Sequence, residues 1–131
     1  ARVLHLDQEL TEDAARDRLA AIRALDGTTR GRLLSLVSLL GVDPERLLAS
    51  DDPSPGEARK ITMAYGLATE AWLIVLDEPT NHLDLPSIER LEEALAEYPG
   101  ALVLVTHDDA LAARLTETEW RIEDGAISVA E

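Results

Sequence analysis

The sequence contains no cysteine. Disulfide scaffolds, thiolate zinc sites and cysteine nucleophiles are therefore excluded from this chain, and the composition is compatible with a reducing compartment. Lysine is almost as scarce, with Lys60 the only one. Any chemistry that needs a lysine elsewhere is absent. Basic residues are few in general: Lys plus Arg total 12 against 26 Asp plus Glu, a net charge of −14. Such a surface repels a phosphate backbone, so direct nucleic-acid binding by this piece is not expected. No apolar run reaches the length of a membrane span. The opening ARVLHLDQEL is too polar for a signal peptide. Internal repeats and low-complexity tracts are also absent.

What remains is an ordinary globular composition. The 131 residues are 46% apolar and 29% charged, enough for one domain with a core and too short for two. Residues 2–6 (RVLHL) are apolar enough for a strand. Thr11 with Glu12 and Asp13 reads as a helix start, and Ala15, Leu19 and Ile22 follow at helical spacing. Residues 31–40 predict a second helix stopped by Gly41, and Asp43-Pro44 opens a short third one. Residues 50–53 form a loop, and a longer helix runs from about Ser54 to Glu70 with Ile61, Tyr65 and Ala68 on one face.

The pattern then changes. Residues 72–76 (WLIVL) and 101–105 (ALVLV) are continuous apolar runs, and between them Ile88, Leu91, Leu95 and Tyr98 recur at helical spacing before Pro99-Gly100. This predicts a βαβ unit with parallel strands covered on both faces. Asp124-Gly125 marks a terminal hairpin over residues 120–129. Residues 9–70 thus read as mainly helical and residues 71–131 as α/β. Trp72, Trp120 and Tyr65 read as core or rim packing, and Glu89, Glu92, Glu93 and Glu97 as a solvated helix face. His5 and His82 have no partner at metal-ligand spacing.

Two places carry chemistry. The first apolar strand ends in Asp77-Glu78 and the second in Thr106-His107-Asp108. A right-handed crossover brings both strand ends to one sheet edge, where open α/β sheets bind ligands. Strands also end in polar residues simply because they reach the surface. The matching His107 favours a site: Asp77 suits Mg²⁺ held through its water shell, and Glu78 suits orienting or deprotonating a water. The second place is Ser54-Pro55-Gly56-Glu57. Helix initiation by a capping box accounts for Ser54, Pro55 and Glu57. It does not account for Gly56, which weakens the first turn but opens the backbone amides to an anion. Gln8, after the first strand, has no local feature that sets it apart from a solvated loop residue.

Together these segments resemble an ABC-type ATPase cassette. Ser54-Pro55-Gly56-Glu57 is similar to the signature motif, Leu73–Glu78 to the Walker B strand, Asn81-His82-Leu83-Asp84 to the D-loop and His107 to the switch histidine. Gln8 falls where the Q-loop glutamine lies. The run DEPTNHLD, Asp77 to Asp84, resembles the ABC-F branch, soluble tandem-cassette proteins that act on ribosomes. SPGEARK…EPTNHLDLPSIE looks most like the second cassette of an antibiotic-resistance ABC-F protein of actinobacteria. The resemblance departs from the family at Pro53, Pro55 and in one larger respect: the P-loop pattern Gly-x4-Gly-Lys-Ser/Thr is absent. That element, which holds the β- and γ-phosphates, is expected before residue 1, so the chain reads as part of a cassette.

The fold implied is a partial P-loop NTPase fold of the ABC type: a helical subdomain, βαβ parallel strands and a C-terminal hairpin. The cofactors implied are ATP and Mg²⁺. The resemblance implies Glu78 and His107 as catalytic, with Asp77 and Gln8 at the metal. It implies nucleotide contacts from Gln8, Ser54, Gly56, Glu57 and Asp84, the last of these at the seam with a second cassette packed head to tail. A ribosome partner and a cytoplasmic location go with the ABC-F reading, in which other parts of the protein touch RNA. A transporter ATPase subunit shares every one of these motifs, and a degenerate, non-enzymatic module is the third reading. The chain by itself is expected to lack ATPase activity.

Overall fold

The computed structural model describes residues 3–7, 10–81 and 83–130. Strands β1 (Val3–Leu6), β2 (Leu73–Asp77) and β3 (Ala101–Val105) form a parallel sheet with β2 in the centre. Leu6 pairs with Leu76, and Asp77 with Val105, so the strand ends are level. Helices α1 (Glu12–Arg23), α2 (Gly27–Leu39), α3 (Pro44–Ala49) and α4 (Pro55–Ala68) lie between β1 and β2 in sequence. Helix α5 (Leu85–Ala96) is the crossover from β2 to β3, and α6 (Asp109–Leu115) follows β3. Strands β4 (Glu119–Glu123) and β5 (Ala126–Ala130) make a separate antiparallel hairpin.

Short polar side chains start these helices. Thr11, Asp26, Asp43, Ser54, Asp84 and Asp108 each accept a hydrogen bond from a backbone N–H in the first turn. Each cap satisfies an N–H of the first turn that has no partner within the helix. Helix α2 ends in a Schellman turn: Gly41 adopts φ +87°, its N–H donates to Ser38 O at 3.0 Å, and Val42 N–H donates to Val37 O at 2.9 Å. Only glycine takes that conformation without strain. Asp124 and Gly125, with φ +50° and +78°, make the hairpin turn.

The described residues form two apolar cores, and α4 is the wall between them. On one side Met63 packs with Leu4, Leu6, Ile74, Leu76, Leu91 and Leu95 from the sheet and α5. On the other side Ile61, Ala64 and Ala68 pack with Leu19, Ile22, Leu33 and Val37 from α1 and α2. A helix buried on both faces reads apolar all round. This is why α4 is fixed so firmly against the strand ends.

Several expectations need correction. Helix α2 begins at Gly27, not residue 31, because Asp26 accepts from Thr29 N–H at 2.8 Å and sets the start. Gly31 lies inside it. Helix α6 was not anticipated, although Asp108 caps it and Leu111 is fully buried. Strand β3 is not covered on both faces: Val103 and Val105 are exposed. Trp72 and Trp120 are each 70% exposed, so neither is core or rim packing. Tyr65, by contrast, is half-buried and packs against both cores as expected, with the Arg18 guanidinium 4.6 Å above its ring. Glu92 is not a solvated acid, since both its oxygens accept from Arg114 Nη1, at 3.0 and 2.8 Å.

Candidate functional site

The level ends of β2 and β3 bring Asp77, Glu78 and His107 to one sheet edge. His107 Nε2 lies 3.4 Å from Glu78 Oε1. The His107 side chain is fully exposed, whereas that of Glu78 is 13% exposed. The carboxylate is thus recessed and the imidazole stands over it toward solvent. Glu78 has φ +48°, the left-handed region that a non-glycine residue enters at a cost on the order of 1–3 kcal/mol. Its backbone is held on both sides. The Glu78 N–H donates to Val105 O at 2.8 Å, and Glu78 O accepts from Asn81 N–H at 3.2 Å and from Arg59 Nη2 at 2.7 Å.

Arg59 escaped the sequence reading. It is 3% exposed and lies on the sheet-facing stripe of α4 with Met63 and Gly66. Its Nη1 donates to Asp7 O at 3.1 Å and its Nη2 also approaches Asp77 O at 3.4 Å. Burial pulls the guanidinium pKa down, and the Asp77 carboxylate works against that shift. The available signal was a cation within an apolar helical stripe, which a purely solvated arginine would not occupy.

The other expected residues form separate groups. Ser54 and Glu57 complete a reciprocal capping box: Ser54 N–H donates to Glu57 Oε1 at 3.1 Å, and Glu57 N–H donates to Ser54 Oγ at 3.2 Å. Arg46 Nη2 reaches Glu57 Oε2 at 2.9 Å. Burial alone pushes the Glu57 carboxyl pKa up, but the Ser54 and Arg46 contacts outweigh it and the net shift is downward. Space in front of Gly56 is open: a Cβ there would meet nothing within 4 Å. Asp84 caps α5 by accepting from Ser87 N–H at 3.0 Å. Gln8 lies outside the described residues.

Among the described residues, no group of three or more His, Asp or Glu side chains gathers to hold a metal alone. Asp77 and Glu78 nevertheless offer hard carboxylate oxygens at one strand end. That donor set fits Mg²⁺, which takes one or two carboxylates and keeps several waters. Two shallow clefts, of about 680 and 330 Å³, lie around Leu39 and Arg90, and neither is lined by Glu78 or His107. The site is an open edge. No described helix is long and apolar enough to cross a membrane.

No protein-family model matches the chain. It is 39% identical over 135 residues to the tylosin resistance ATP-binding protein TlrC of Streptomyces fradiae, covering 97% of this chain and 24% of that protein. It is 43% identical over 74 residues to the ribosome protection protein VmlR of Bacillus subtilis, covering 56% of this chain and 14% of that one. Among solved structures, the ATP-binding subunit of an ABC transporter superposes with a TM-score of 0.76 at 24% identity, over 97% of this chain and 58% of that one. The fold is that of ABC-type ATPase cassettes, and this chain belongs to them as part of one cassette. Within that class its sequence relatives are ABC-F proteins. The chain spans between 10% and 24% of the length of the curated relatives it matches.

Proposed function

We propose that this chain carries the hydrolytic residues of an ATP-hydrolysing cassette in an ABC-F protein that acts on the ribosome, in the cytoplasm and in an antibiotic-resistance role. The observation that carries the catalytic part is the 3.4 Å approach of His107 Nε2 to the recessed Glu78 carboxylate, with Asp77 beside it. The kinship with a tylosin-resistance protein and a ribosome protection protein supports the ribosomal part.

In this reading Glu78 orients the attacking water and takes its proton onto a carboxylate oxygen. Its partial burial shields that oxygen from bulk water, so that it faces the attacking water alone. His107, exposed on the solvent side of Glu78, donates its one imidazole N–H toward the γ-phosphate. Asp77, with Gln8, would hold Mg²⁺, which neutralises phosphate charge when bound. Ser54, Gly56 and Glu57 form a helix N-terminus whose hydroxyl and amides suit the phosphate of an ATP held by an opposing cassette. Glu57 pins the Ser54 backbone so that this turn keeps its shape. Asp84 sits at the seam between the two cassettes. The amides and lysine that cradle the β- and γ-phosphates have no counterpart in residues 1–131, so this chain on its own does not turn over ATP.

The test uses the whole protein with Glu78→Gln, which blocks proton removal and should trap the ATP-bound closed state. Lysate with ATP is resolved on a gradient that separates ribosomes from membranes. Cosedimentation with ribosomes is expected. Migration with membranes would replace the ribosomal reading with a transporter cassette. Migration with neither would remove the ribosomal partner from the proposal.

A further inference from the structure

We propose that Arg59 is a positioning residue for Glu78, acting on the Glu78 backbone and tying it to the helix that begins at Ser54. The inference rests on the reading of Glu78 as the hydrolytic carboxylate.

The guanidinium spans the ends of two neighbouring parallel strands. It donates to the carbonyls of Asp7, just past β1, and of Asp77 and Glu78, at the end of β2. At these ends the ladder stops, and the carbonyls need donors from elsewhere. A planar fork of N–H groups meets carbonyls on two strands at once, which a lysine ammonium cannot reproduce. Of these carbonyl contacts the shortest, 2.7 Å, goes to Glu78, the residue whose backbone is left-handed. With its N–H held by Val105 and its carbonyl held by Arg59, Glu78 cannot relax toward an extended or right-handed conformation. Either relaxation would swing the carboxylate away from His107.

The contact also crosses the molecule. Arg59 lies five residues after Ser54 on α4, about one and a half turns. Helix α4 is buried on both sides, so it moves as a unit if it moves. The placement of Glu78 therefore depends on where α4 sits. A displacement of its Ser54 end would reach the carboxylate through one side chain.

A purely structural arginine would fill the same space, so the test separates the two roles. In the whole cassette protein, Arg59→Met removes the donors and roughly keeps the stem. We expect kcat for ATP hydrolysis to fall at least about 30-fold with KM for ATP within about twofold. Arg59→Lys, which keeps the charge and reaches a single carbonyl, should fall between wild type and Arg59→Met, and it replaces that variant if the latter does not fold. Added to Glu78→Gln, Arg59→Met should cost no further activity, because it acts through Glu78. Deuterium exchange in the peptide spanning residues 78–81 should speed up at least about tenfold, with α1 and α2 unchanged. Independent, additive losses in the double variant, or unchanged exchange at 78–81, would overturn the proposal. If the wild-type protein hydrolyses no ATP, or Glu78→Gln loses none, the catalytic reading of Glu78 fails. The exchange measurement then still decides whether Arg59 holds Glu78.

Discussion

Leu4 of β1 occupies the space that a side chain on Gly66 of α4 would need. A Cβ at Gly66 would overlap the Leu4 Cδ2 and come within 3.2 Å of its Cβ and Cγ. Leu4 is 5% exposed and packed in the sheet-side core, so it has little room to yield. The closeness of α4 to β1 sets how near Arg59 comes to the strand ends. Helix propensity alone favours Gly66→Ala by about 1 kcal/mol. The overlap should win. Gly66→Ala is expected to destabilise the chain by about 1–3 kcal/mol in urea unfolding. In a Leu4→Ala background the penalty should shrink or change sign. An unchanged penalty there would show that the overlap is not its cause.

Acid should weaken the start of α4 specifically. The Glu57 carboxyl is held below its ordinary value of 4.5 in the folded chain. A depressed carboxylate contributes stability that is fully present above the unfolded pKa and is lost as pH falls through the folded one. Unfolding free energy should therefore decline on acidification below about pH 5, and Glu57→Gln should flatten part of that decline. Asp26 and Asp84 are depressed as well, so the slope is reduced rather than abolished. Identical slopes for wild type and Glu57→Gln between pH 3 and 6 would show that the capping-box carboxylate carries no linkage.

What could be read beforehand was local. Ser54-x-x-Glu57, Asp43-Pro44, Gly41 and Asp124-Gly125 dictate their own turns through neighbours a few residues away, and each forms as expected. The convergence of Asp77, Glu78 and His107 followed from topology, since parallel strands joined by one crossover end on the same side. Arg59 was not legible in this way. Its partners among the described residues include carbonyls 52, 18 and 19 residues away, and a carbonyl carries no residue-specific signal. The left-handed φ of Glu78 has no sequence mark either, because the strain is maintained by Val105 and Arg59. Trp72 and Trp120 misled for the opposite reason: large aromatic residues are usually covered, and here no described segment covers them.

The purified 131-residue chain should show no Mg²⁺-dependent phosphate release from ATP above a buffer blank. Glu78 and His107 are 3.4 Å apart in this chain, but in the proposed mechanism Glu78 is a base, and a base without a held γ-phosphate has nothing to act on. Positioning supplies much of the barrier reduction in phosphoryl transfer. Clear turnover that disappears in the Glu78→Gln chain would sink the view that hydrolysis needs a phosphate cradle from outside these residues.

Trp120 pairs with Val129 and Ile122 with Ile127, so all four side chains share one face. Each is at least 61% exposed, and Val103 and Val105 are open on β3. Apolar surface gathered in this way drives association. The net charge of −14 opposes it, because two copies repel each other. Salt decides between these terms: screening weakens the repulsion within a Debye length of about 10 Å at 0.1 M and leaves the apolar attraction in place. Sedimentation velocity of the chain should therefore show self-association that grows with both concentration and salt. Replacing Ile122 and Ile127 by Thr keeps the β-branched shape that the strands prefer and lowers the apolar area. That double variant should stay monomeric over the same range. A wild-type chain that is monomeric at high salt would mean that this face is too small or too mobile to bind a second copy.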